Sequence, residues 1–431
     1  MSRVLIRGGR LLDPSIDHDA VADLLVEDDR VVEVGPSLKA ENAEVIEAEG
    51  KWVAPGFVDL HVHLREPGQE YKEDLASGGR AAVAGGFTSI CCMANTEPVN
   101  DDPAVTQYIL DRAAKDSPAR IFPIAAATRR LAGEVMTEMS ALKDAGAVAF
   151  SDDGETIMDA RVMRNVLEYS KLVDAAVVIH AEDCGLRADG VVNEGRMSTR
   201  LGLPGNPVEA EEIHIARDIR LARLTGARLH VGHVSSGGSV ELIQAAKEAG
   251  LSVTAEVTPH HLALTDEATG GYDTSTKMAP PLRTGSDIET LRKALAEGII
   301  DCVATDHAPH ATYEKDVEFT AAPCGVLGLE TAFGVVCDMV RTGEISPLEL
   351  MRRMSTAPAQ IFDLEGGSLT PGSAADIVIL DPNCSWVYDP AEGFSKSRNS
   401  PWAGAELKGQ VFATLVDGRL VYQTGRGILI Q

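Results

Sequence analysis

Basic residues are scarce in this chain. Against 65 Asp and Glu stand 39 Lys and Arg, a formal net charge of −26 over 431 residues. That balance speaks against nucleic acid and anionic membranes as partners. It leaves a small anionic ligand open, because one well-placed Arg or metal ion overrides the mean field. Aromatic residues make up only 4%, which disfavours an aromatic-rich β-sandwich as the main body. A hydrophobic content of 44%, with abundant Ala and Gly, suits tightly packed α/β layers. The seven cysteines (91, 92, 184, 302, 324, 337 and 384) are odd in number and contain no C-x-x-C. They argue against a disulfide framework and for a reducing compartment. No apolar run is long enough to cross a bilayer. The opening MSRVLIRGGRLLDP reads as strand and turn, not as a signal peptide. Cytoplasmic is the expected location.

Short alternating β-type runs fill both ends of the chain: RVLIRGG, ADLLVEDDRVVEVG and AEVIEAEGKWVAPG at the start, AADIVILDP and GQVFATLVDGRLVYQTG at the end. Asp417-Gly418, between apolar runs, signals a type I′ hairpin. The simplest organisation is one small β-sandwich domain made from residues 1–54 and 369–431, flanking a central unit at 55–368. That unit alternates apolar runs with amphipathic segments such as VELIQAAKEAG and IETLRKALAEG. Eight candidate strands stand at 56–64, 87–96, 120–128, 147–154, 175–183, 228–236, 251–261 and 301–310. Eight β-then-α units imply a (β/α)8 TIM-like barrel. A doubly wound open sheet is the competing arrangement, but no G-x-G-x-x-G follows an early strand.

Most of the candidate strands turn abruptly polar at the C-terminal end. His61 and His63 close the first, Asn95 the second, Asp153 the fourth, His180 the fifth, His233 the sixth and Asp306 the eighth. In a parallel barrel those ends converge on one face. The i, i+2 spacing of His61 and His63 puts both imidazoles on one strand face. Four imidazoles and two carboxylates suit Zn2+ or a similar divalent ion. Six ligands exceed one tetrahedral zinc and suit two ions sharing a bridging carboxylate. Such a pair lowers the pKa of bound water and polarises a carbonyl, which points to hydrolysis of an amide-like bond. Arg65 falls on the same strand face if extension continues, where its guanidinium could bind a substrate carboxylate bidentately. The competing reading pairs Arg65 with Glu66, Glu70 or Asp153. His18, His214 and His230 read as structural, without partners. His260 and His261 read as outer or lining groups, and His307 as orienting Asp306. Cys91–Cys92 reads as core packing.

The motifs HVHLREPG (61–68), MANTEPV (93–99), FSDDG (150–154), IHAED (179–183), VGHVSS (231–236), KMAPPLR (277–283), TDHAPH (305–310) and PGSAADIVILD (371–381) span nearly the whole chain. In them the sequence resembles the cyclic amidohydrolases, and within these the dihydroorotases of the bacterial type I class. The resemblance implies a (β/α)8 barrel with a small β-sandwich domain and two Zn2+ per subunit. It implies that His61 and His63 hold one ion and His180 and His233 the other. Asp153 would bridge them, where related enzymes use a carboxylated lysine. Asp306 would be the catalytic acid–base and a ligand of the first metal. His63, Arg65, Asn95 and His310 match substrate-contacting positions, as do Ala279, Cys324 and Gly325. Two of these depart from the family pattern: Ala279 stands where Asn is usual, and Cys324 where Phe commonly precedes the glycine. The implied reaction is reversible hydrolysis of dihydroorotate to N-carbamoyl-aspartate, a step of pyrimidine biosynthesis. Self-association, or association with aspartate carbamoyltransferase, is also implied as open to the chain. Two alternatives stand beside this: another cyclic amidase (dihydropyrimidinase, hydantoinase or allantoinase), or an inactive scaffold homologue.

Overall fold

The structure, a computed structural model, describes residues 2–429. Eight parallel strands form its central ring: Phe57–Val62, Phe87–Cys92, Arg120–Pro123, Phe150–Ser151, Val177–Ile179, Leu229–Val231, Val253–Val257 and Cys302–Val303. The first three pair in sequence order, as do the last five. Two parallel bridges close the ring, Ala125 to Phe150 and Val62 to His307. Closure removes the edges of this ring and rules out the doubly wound alternative.

The strands are shorter than the apolar runs predict. The first stops at Val62, and the His63 amide donates to the His307 carbonyl at 2.8 Å. The polar ends thus leave the ladder and turn into the loops above the ring. The amphipathic segments form helices between strands. Gly237–Glu248 is capped by the Ser236 side chain, and Gly285–Glu297 ends on Gly298 in the left-handed conformation. Buried Val, Leu, Ile, Ala and Phe side chains fill the space between ring and helices. Cys92 is buried within this packing and Cys91 in a separate cluster with Val58, Leu60, Met93 and Ile124, and all seven cysteines are free.

Both chain ends build one antiparallel-rich sheet beside the barrel. The two halves join where Ile377–Val387 pairs antiparallel with Trp52–Pro55. Val4, Ile6, Leu24, Val53, Ile377, Ile379 and Leu415 form its own core. Asp417 and Gly418 both have positive φ, 49° and 71°, as a type I′ turn requires. Glycine is needed there for a second reason: a Cβ on Gly418 would meet the Asp28 carbonyl oxygen at 1.8 Å. No helix among the described residues is long and apolar enough to cross a membrane.

Candidate metal centre and substrate cavity

Residues from five strand ends meet above the ring. His61 and His63 stand with ring centroids 5.4 Å apart, both buried. The Asp153 carboxylate lies within reach of four imidazoles: 3.4 Å from His61 Nε2, 3.4 Å from His63 Nε2, 3.5 Å from His180 Nδ1 and 3.3 Å from His233 Nε2. Asp306 lies 3.1 Å from His63 Nε2 and 3.7 Å from His61 Nε2. His180 Nδ1 and His233 Nε2 are 2.9 Å apart. Asp152 turns away, accepting the Thr128 amide at 2.8 Å, as strand alternation predicts.

The tautomers show what this cluster can hold. Glu256, wholly buried, accepts the His61 Nδ1 proton at 2.6 Å. The Asn95 side-chain oxygen accepts the His63 Nδ1 proton at 2.9 Å. In the neutral rings both Nε2 atoms then carry lone pairs facing carboxylate oxygens. His61 Nε2 has no hydrogen-bond partner. Lone pairs converging on lone pairs make a cation site, and imidazole with carboxylate suits a divalent ion. Two groups meet the spacing such an ion needs: His61, His63 and Asp306, and His61, Asp153 and His233.

The electrostatics agree. Burial alone would push Asp153 up, but His61, His180 and His233 hold it well below the usual carboxylate range. Burial opposes Asp306 in the same way, and His63 and His61 still bring it to about 2. His61 is raised well above its usual value because Asp153 and Glu256 outweigh its burial. The same negative field attracts a metal cation.

A cavity of about 300 Å³ opens on these groups. Arg65, Asn95, Ala279, His310, Cys324 and Gly325 all line it, beside His63, Asp153, His180, His233 and Asp306. Arg65 reaches it by a route that alternation does not predict. Its φ is +63°, so the chain bends into the left-handed region instead of continuing as a strand. The guanidinium donates through Nε to the Pro309 carbonyl at 3.2 Å and sits 3.5 Å from His310 Nε2. Among the described residues no carboxylate pairs with it within 4.0 Å; Glu66 instead takes Arg112 and Tyr108. Burial lowers Arg65 to about 10, which leaves it charged at neutral pH. His310 donates through Nε2 to the Cys324 carbonyl at 2.7 Å. Burial, with Arg65, Lys315 and Lys72 nearby, lowers His310 to about 2, so it is a neutral imidazole.

Four histidines differ from their sequence reading or refine it. His307 does not orient Asp306: its Nε2 donates to Glu73 at 3.3 Å and its Nδ1 accepts the Gly328 amide. His230 has partners, donating to Glu256 at 3.1 Å and accepting from Thr254 at 2.8 Å. His214 pairs with Asp218 on its own helix. His261 is held between Thr258 and the Pro280 carbonyl, outside the cavity lining. The residue the sequence reading missed is Glu256. An acidic side chain inside the apolar run LSVTAEV was the available signal.

The sequence pattern of the Amidohydrolase family matches residues 52–421. The chain belongs to the amidohydrolase family. It is 50% identical over 430 residues to a dihydroorotase of Anaeromyxobacter dehalogenans (strain 2CP-C), covering 99% of both chains. It is 49% identical to a dihydroorotase of Pelotomaculum thermopropionicum, covering 98% of this chain and 99% of that one. Among solved structures, L-hydantoinase (dihydropyrimidinase) from Arthrobacter aurescens superposes with a TM-score of 0.91 at 27% identity, covering 100% of this chain and 98% of that one. With the His and Asp groups above the ring, these relatives place the chain among the metal-dependent cyclic amidohydrolases. The barrel and its companion sheet are the shared fold.

Proposed function

We propose that this amidohydrolase is a dihydroorotase, opening (S)-dihydroorotate to N-carbamoyl-L-aspartate and closing it again. The observation that carries the reading is the joint presence, in one cavity, of the Asp153–histidine cluster and an Arg65 guanidinium that, among the described residues, has no carboxylate within 4.0 Å. A cyclic imide bearing a carboxylate uses both, and a neutral ring has no use for the second.

Two Zn2+ ions fit the donor set. His61, His63 and Asp306 would hold one, His180 and His233 the other, with Asp153 between them. Bound divalent ions supply Lewis acidity and a lowered water pKa. Arg65 binds the ring carboxylate, and neutral His310 and Asn95 line the ring. Asp306, ionised, takes the proton of the attacking water. The water oxygen adds to the ring carbonyl carbon, and the tetrahedral adduct collapses with cleavage of the ring C–N bond as Asp306 returns that proton to the leaving nitrogen. Ala279, Cys324 and Gly325 line the same cavity.

The decisive experiment compares turnover of dihydroorotate, dihydrouracil and allantoin, with metal content measured on the same sample. Dihydroorotate should dominate, at near two zinc per chain. Dominant turnover of dihydrouracil would favour a dihydropyrimidinase or hydantoinase, a reading that Ala279 and the hydantoinase-like superposition keep in view. A metal-free, inactive protein would favour a scaffold role. Residues 1–54 and 369–431 are read as one domain and 55–368 as the other, which the pairing of Trp52–Pro55 with Ile377–Val387 supports. A cytoplasmic location is part of this reading, and the seven free cysteines support it. Self-association or association with aspartate carbamoyltransferase is testable by sedimentation of the chain alone and mixed.

A further inference from the structure

The connection between Ile377–Val387 and Glu406–Val416 runs 18 residues, long for a link between paired antiparallel strands. Within it, Ser395, Ser397 and Asn399 are buried while Lys396 is exposed and Arg398 partly so. An alternating segment normally buries apolar side chains. This one buries polar ones, so its inner face exists to make hydrogen bonds.

Those bonds go to the two loops that carry the substrate groups. Ser395 donates to Glu73, and Ser397 donates to the Lys72 carbonyl at 2.7 Å, both on the loop after the first strand. Asn399 holds the loops after the eighth strand. Its Nδ2 donates to the Ala308 and Gly325 carbonyls, each at 3.0 Å. Its Oδ1 accepts the His310 amide at 3.1 Å, and its carbonyl accepts the Leu327 amide at 2.9 Å. Both side-chain donors are used, and every contact falls on a cavity-lining residue or within two residues of one. The 308–310 backbone in turn fixes Arg65, whose Nε donates to the Pro309 carbonyl.

We propose that Asn399, supplied by the β-sandwich domain, is a positioning residue for substrate binding: it fixes the 308–310 and 325–327 loops and through them aims Arg65 and His310 at the ring carboxylate. This rests on the function proposed above. It assigns the smaller domain a part in substrate recognition.

The test uses the full-length, metal-loaded protein. Asn399→Ala removes the side-chain bonds. Asn399→Asp keeps the acceptor for His310 and loses both donors, and serves if the alanine variant does not fold. In either folded variant KM for dihydroorotate should rise roughly tenfold, the order expected for losing buried hydrogen bonds. kcat should change little, and metal content should stay at the wild-type level. In an Arg65→Met background the Asn399 substitution should raise KM by less than it does alone, because part of its effect runs through that guanidinium. Unchanged KM in a folded variant overturns the proposal. So does a fall in kcat together with metal content, or full additivity with Arg65→Met. Failure of the wild type to turn over dihydroorotate would instead sink the proposed function itself.

Discussion

Replacing Arg65 by Met tests substrate recognition most directly. The residue is 8% exposed, has no carboxylate partner within 4.0 Å among the described residues, and donates to the Pro309 carbonyl. Its burial lowers its pKa from the usual guanidinium value to about 10. The sign of that shift matters: the fold disfavours the charged form, by roughly 3 kcal/mol on the scale of 1.36 kcal/mol per unit. Met fills similar volume without a charge to desolvate, so the variant should be as stable as the wild type or more so. Binding should show the opposite. A charge-assisted, bidentate contact is worth roughly 1.5–3 kcal/mol. KM for dihydroorotate should therefore rise about 10–150-fold. Binding of a neutral ring such as dihydrouracil should hardly change. Thermal melting, steady-state kinetics and competitive inhibition by neutral and acidic rings provide the measurements. Equal losses for both ring types would assign Arg65 to loop structure, and the recognition argument would be refuted.

Asp306→Asn should fold, yet lose about 10²–10⁴-fold in kcat, the usual contribution of a general acid–base group; near wild-type turnover at saturating metal would remove Asp306 from that role. Asp153→Ala should lose bound metal while Asp152→Ala, whose carboxylate serves Thr128, retains it; elemental analysis of the two variants decides this. Because Asp153 already reaches four histidines, metal reconstitution should not require bicarbonate, and a carboxylated lysine in a crystal structure would contradict that. Glu256→Gln should weaken metal binding about 10–100-fold in a chelator competition, the usual cost of losing an outer carboxylate behind a ligating histidine; an unchanged affinity would reduce Glu256 to a packing role.

The eight barrel strands were legible because each is a short apolar run between amphipathic segments. Their polar ends were legible because a parallel barrel has one face where such residues can meet. His61 and His63 followed from alternation alone, and so did the divergence of Asp152 from Asp153. Contacts between distant segments were not legible. Glu256 and His230 sit 195 and 169 positions from His61, and only the closed ring brings them beneath it. His307 was misjudged for a related reason. Its neighbour in sequence is Asp306, but its partner in space is Glu73, from the loop after the first strand.

Arg65, His233 and Asp306 share a property that no alternation rule captures: each is a non-glycine residue with positive φ, at +63°, +31° and +47°. Such a conformation costs on the order of 1–3 kcal/mol per residue and persists only where the surroundings over-determine it. The surroundings here can be named. Pro309 holds Arg65 through its carbonyl, Glu256 accepts the His233 amide at 3.3 Å, and the His307 amide next to Asp306 donates to the Thr305 hydroxyl at 3.1 Å. A regular strand end would direct these side chains along the alternating faces of the sheet. The left-handed turn redirects them into the space above the ring, where the His and Asp groups and the cavity lie. The barrel therefore supplies the rigid base, and local strain at three strand ends supplies the aim. Relieving it by substituting glycine for Asp306 or His233 would also delete the side chain that the strain serves to place. The strain and the chemistry cannot be separated by mutation at those two positions, and Asn399 and Glu256, which act from outside them, are the residues through which positioning can be varied on its own.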